Sequence, residues 1–116
     1  MKKKINIKLY KENRLEKEYN NILAVVNKES YKFIIDDINT IISDSHFQRE
    51  NDEYKFKIDF VNNEAYFLLK ENNSKFDVEI EHFNIDKKEQ ELILEYKISS
   101  DEEIFKIHIE ERDNNE

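Results

Sequence analysis

A chain of 116 residues, 38% hydrophobic and 40% charged, with a net charge of −8, is sized for one folded domain. It has no cysteine, which excludes disulfides, thiolate ligands and cysteine nucleophiles. It has no glycine, which excludes a Walker loop and a dinucleotide fingerprint, and its acidic balance speaks against a nucleic-acid groove.

Ile5, Ile7 and Leu9 alternate with polar residues and predict a first strand over 3–9. A polar stretch, 11–18, follows. Leu15, Tyr19, Ile22 and Val26 are spaced for one helix face, but the β-branched run Ile22 to Val26 suits a strand. Strand is the favoured reading, because the neighbouring runs are strands. Residues 27–30 form a turn and Tyr31 to Ile35 a strand that ends at Asp36-Asp37. A weak strand is expected from Thr40 to Phe47, then a charged turn from Arg49 to Asp52.

The strongest alternation begins at Glu53, with Tyr54, Phe56, Ile58 and Phe60 on one face and Lys55, Lys57 and Asp59 on the other. Asn62-Asn63 and Asn72-Asn73 stand where two hairpin turns need a left-handed residue. Between them Glu64 to Lys70 is apolar on both faces, as in a central strand. Phe76, Val78 and Ile80 alternate, and His82 continues their parity. At Phe83 the parity changes, which predicts a bulge. A charged turn is expected at 86–90, then strands over 91–98 and 104–111, and a frayed polar tail over 112–116.

Eight or nine closely spaced strands with polar turns read as one all-β domain, residues 1–111, an antiparallel barrel. Residues 1–17 carry +5 and residues 71–116 carry −9, so the first strand is expected to pair antiparallel with the last. The start lacks a signal-peptide h-region and no apolar run reaches membrane-spanning length, so the cytoplasm is the expected location, with no membrane partner.

The segment Ile85-Asp86-Lys87-Lys88-Glu89-Gln90-Glu91-Leu92-Ile93-Leu94-Glu95-Tyr96, with the alternating Phe105 to Ile109 and the basic start Met1 to Leu9, resembles the YwiB-like family of bacterial proteins. That is a calycin-type group of small β-barrels without an assigned function. The resemblance implies a lipocalin-like barrel of eight or nine strands and supplies no catalytic residues.

The residues themselves offer little chemistry. Six serines stand outside any nucleophile elbow, and no two histidines have ligand spacing on one element, so neither a catalytic residue, a metal nor a cofactor is expected. The aromatic set could line a cavity or fill the barrel. The candidate ligand-binding residues are Tyr54, Phe56, Phe76, His82 and Tyr96. Two functions stay open: a non-enzymatic barrel taking a small apolar ligand inside, or a protein-interaction module using an acidic outer surface. A monomer or weak homodimer is expected.

Overall fold

The computed structural model describes residues 1–112; the tail expected over 112–116 otherwise lies outside the described residues. The chain is all-β, and its strands form one antiparallel sheet. They are β1 (Lys2–Lys11), β2 (Arg14–Val26), β3 (Ser30–Ile35), β4 (Ile38–Ser43), β5 (His46–Glu50), β6 (Tyr54–Asp59), β7 (Glu64–Leu69), β8 (Ser74–Val78), β9 (Ile80–Lys88), β10 (Glu91–Ile98) and β11 (Phe105–Glu111). The order in space is β8-β7-β6-β5-β4-β3-β2-β1-β11-β10-β9. The two outermost strands, β8 and β9, are consecutive in the chain, with only Glu79 between them. Glu79 accepts a hydrogen bond from Ser99 N at 2.9 Å. One bent segment therefore serves both edges, and the sheet curls into a nearly closed barrel.

The strand count is eleven rather than eight or nine. The stretch 40–47 is two strands, because the Ser43 hydroxyl accepts hydrogen bonds from the backbone N–H of Ser45 and His46 and turns the chain there. Glu79 divides what reads as one long strand. The supposed turn Arg49 to Asp52 begins inside β5, and the one at 86–90 begins inside β9. The ambiguous segment 15–26 is strand, and the polar stretch before it already belongs to β2.

Turns without glycine are built from other residues. Glu12, Asn13, Asn21, Asp36, Asp37, Asn63 and Asn73 all take positive φ, between 51° and 63°. Glu12-Asn13 and Asp36-Asp37 are two-residue hairpin loops with both residues left-handed. Asn21 is an extra residue opposite Asn6 and forms a bulge, its N–H donating to Asn6 Oδ1.

The first strand pairs antiparallel with the last, from Ile5↔Glu111 to Lys11↔Phe105. Ile5, Ile7, Ile107 and Ile109 are buried on the inner face with Leu92 and Leu94. At roughly 1.5–3 kcal/mol per buried side chain, this seam is a main source of stability. Lys3 Nζ reaches Glu111 Oε1 at 2.8 Å, and Glu111 Oε2 accepts a hydrogen bond from Tyr31 Oη at 2.7 Å. Burial alone would raise the Glu111 pKa; the bonds from Lys3 and Tyr31 and the charges of Lys3 and Lys87 outweigh it and hold it below 4.5.

The other seam is weak. β2 and β3 pair only through Val25↔Lys32 and Val26↔Tyr31. Farther along, Tyr19 Oη donates to Asp36 Oδ2, and Lys17 lies 3.6 Å from the same carboxylate. Between these ties the strands part, and a groove of about 690 Å³ runs along Ile22 to Val25 on one side and Lys32 to Ile34 on the other.

Candidate functional site

Inward residues of β3 to β8 line up across the sheet in two rows, because directly opposed residues share a face. The first is Tyr31, Ile42, Phe47, Ile58, Ala65 and Val78. All but Val78 are buried. The second, one step nearer the mouth of the barrel, is Phe33, Thr40, Arg49, Phe56, Phe67 and Phe76. This row is buried at one end, where Thr40 is 3% exposed, and open at the other, where Phe76 is 52% exposed.

Four of the five expected site residues join this mouth. Phe56 lies on the second row, its ring centroid 6.4 Å from that of Tyr96. Tyr54 stacks on Phe67 at 5.3 Å. Phe76 is directly opposite Phe67 and shares its face. The expectation that Phe76 is buried is corrected: β8 is an edge strand paired on one side only, so this end of the row stands open to solvent with Leu69. His82 does not join them. Ile80 opposes Ile98 and His82 opposes Lys97, so Glu81 is the extra residue of the expected bulge, and it throws His82 to the outer face. There its Nε2 lies 3.1 Å from Glu95 Oε1, exposed to solvent.

Tyr96 is packed among Phe47 at 5.7 Å, Phe56, and Phe105 at 5.6 Å. Burial pushes its pKa up to about 12, against the lowering influence of the Arg49 charge, so its hydroxyl remains protonated and available as a donor.

Two residues of the row escaped the sequence reading. Arg49 reads as part of a charged turn, yet it opposes Thr40 on β4 and Phe56 on β6 and faces inward. Its distance of two from Phe47 was the available signal, since residues two apart on a strand share a face. Among the described residues its side chain forms no hydrogen bond or ion pair, though its charge lowers the pKa of both Tyr96 and Asp36. Asp36 already takes Tyr19 and Lys17 as partners. Thr40 Oγ1 is buried without a hydrogen-bond partner among the described residues. Thr40 and Arg49 line a void of about 20 Å³ with Ile7, Leu9, Phe33, Ile35 and Ile107, space for a single water. Side chains fill the barrel here, and the exposed apolar surface of the row lies at its other end, at Phe76.

On the outer face, Glu91, His108 and Glu110 bring three ligand atoms within 4.8 Å of one another. His108 Nε2 lies 3.0 Å from Glu91 and 3.5 Å from Glu110, distances that ion pairing of a protonated histidine also explains.

No protein-family model, curated protein or solved structure matches this chain.

Proposed function

We propose that this domain is a non-enzymatic binding barrel that takes a small apolar molecule at its open mouth, on Phe56, Phe67 and Phe76 with Tyr54 and Tyr96 beside them. The carrying observation is the exposure of Phe76 and Leu69 on the inner face, continuous with rings that are half-buried. Ring faces partly open to solvent offer a planar ligand apolar area to bury and favourable offset stacking. The likeness to the YwiB-like group implies a small calycin-type barrel, which fits this reading; that group has no assigned function to carry over.

The test is fluorescence of the neutral probe N-phenyl-1-naphthylamine. Wild-type protein should enhance its emission, and Phe76→Ala should lose most of that enhancement while keeping its melting temperature. No enhancement, or enhancement indifferent to Phe76→Ala, removes the reading.

A second reading, docking of a protein partner, has its own observation at the β2–β3 seam. Leu23, Val25 and Ile34 are exposed there on the outer face, bordered by Lys2, Lys4 and Lys32. The interaction surface is then this lysine-bordered apolar groove rather than the acidic surface at large. Its occupant is an extended acidic segment of another protein that pairs with the free strand edges. A peptide alternating Glu and Val should slow amide exchange at Leu23 and Ile34; unchanged exchange removes this second reading.

A further inference from the structure

From the second inner row we infer that the ligand of the mouth is an aromatic carboxylate, its ring on Phe56 and Phe67 and its carboxylate on Arg49. This rests on the proposed binding of an apolar molecule at the mouth and adds its charge and shape.

Four observations converge. Arg49 is a half-buried cation on the inner face whose side chain has no hydrogen bond or ion pair among the described residues. A guanidinium partly withdrawn from water, with no carboxylate within ion-pair distance among the described residues, carries some desolvation cost, and an incoming anion relieves it. Directly opposite it, Thr40 keeps a buried hydroxyl without a partner, and both residues line the same void. On its other side Arg49 opposes Phe56, and Phe67 follows in the same row. Adjacent strands lie about 4.8 Å apart, so the backbone positions that carry the two rings stand one to two strand spacings, roughly 5–10 Å, from that of Arg49. That separation matches a carboxylate attached directly to a fused ring system. The planar fork of Arg49 can receive two carboxylate oxygens in parallel.

The groups around Arg49 agree with this charge. Asp36, whose pKa is lowered chiefly by the Tyr19 hydrogen bond, then by Lys17 and least by Arg49, already has Tyr19 and Lys17 as its partners. Tyr96, with its hydroxyl protonated, is a neutral neighbour that can donate. The void is too small for a carboxylate beside Thr40 as the side chains stand, so binding requires the Arg49 side chain to swing toward the ring row.

The experiment compares 2-naphthoate, 2-naphthamide and 2-naphthylmethylammonium by isothermal titration at pH 7, on wild type and on Arg49→Gln, Arg49→Lys and Thr40→Val. For wild type, naphthoate should bind at least about tenfold tighter than naphthamide, and the ammonium compound weakest of the three. Arg49→Gln should bring naphthoate to parity with naphthamide and leave naphthamide unchanged. Arg49→Lys should keep part of the preference, and Thr40→Val, on the far side of Arg49 from the rings, should leave naphthoate and naphthamide binding unchanged. Equal binding of acid and amide to wild type overturns this inference while leaving the apolar mouth intact; binding of none of the three overturns both. The wild-type comparison decides the matter even where an Arg49 variant fails to fold.

Discussion

The two inner rows of β3 to β8 are built on the same strands, one step apart, and come out opposite in character. The row from Tyr31 to Val78 is apolar apart from one tyrosine hydroxyl, which Glu111 receives, and it is closed almost throughout. The row from Phe33 to Phe76 contains, among the described residues, a threonine without a hydrogen-bond partner, an arginine without an ion pair and a phenylalanine half in water. A barrel gains most of its stability from rows of the first kind. Rows of the second kind cost stability, and such departures from a closed apolar core are expected at functional or strained places in a fold.

Breaking the first row should have the largest effect. Phe47→Asp buries a carboxylate without a partner and should unfold the domain in urea melts, a loss of at least about 5 kcal/mol. Phe76→Asp, on the second row, should cost under about 1 kcal/mol. Similar losses from the two would mean that the rows do not differ.

Between the rows sits Tyr96, and pH separates its contribution. Its folded pKa is raised from 10.0 to about 12, so its stabilising contribution is whole below pH 10 and is lost as pH rises toward 12. Over those two pH units stability should fall by about 3 kcal/mol from this residue. Tyr31 adds to the loss, because burial also raises its pKa. Tyr96→Phe should flatten the alkaline limb of chemical-denaturation curves; an unchanged limb contradicts the packing described.

Glu111 anchors the closed row from its other end, through Tyr31. Its folded pKa lies below 4.5, so its contribution is present above that value and is lost as pH falls through the depressed one. Glu111→Gln should cost about 1–3 kcal/mol at pH 7 and make stability less steep on the acid side. The smallest effect is expected at the hairpin Glu12-Asn13. Glu12 holds φ at 51°, a conformation that costs a residue with a side chain roughly 1 kcal/mol, but its Oε1 also accepts a hydrogen bond from Ile104 N at 2.8 Å, so in Glu12→Gly the gain and the loss offset and stability in thermal melts should shift by less than about 1 kcal/mol.

Much of this architecture was legible because strand alternation is strong wherever one face is buried. Tyr54, Phe56 and Ile58, or Leu92, Leu94 and Tyr96, announce their faces in the sequence alone. The charge asymmetry likewise anticipated the pairing of β1 with β11. What failed to show was punctuation. The turn at Asp44-Ser45 is made by a serine hydroxyl, and the bend at Glu79 leaves the alternation before it intact. Neither uses a residue that stands out in a chain without glycine or proline. The site was half legible for the same reason. Its aromatic residues follow the period of two, whereas Arg49 interrupts the apolar pattern and reads as the start of a turn. His82 was misplaced because one inserted residue, Glu81, reverses every face after it.

Pairing between β1 and β11 also sets an order of events during synthesis. Lys3 and Glu111 are 108 residues apart, so one edge of β1 waits for nearly the whole domain to be made before its partner exists. β2 can cover the opposite edge early, through a two-residue hairpin. Until the ribosome has released β11, the waiting edge is apolar on one face through Ile5, Ile7 and Leu9 and could recruit a neighbouring nascent chain. Lys2, Lys3, Lys4 and Lys8 repel another copy of the same edge during that interval. Lys3, which in the finished barrel pairs with Glu111, thus first serves with its neighbours as a guard against misassembly between growing chains.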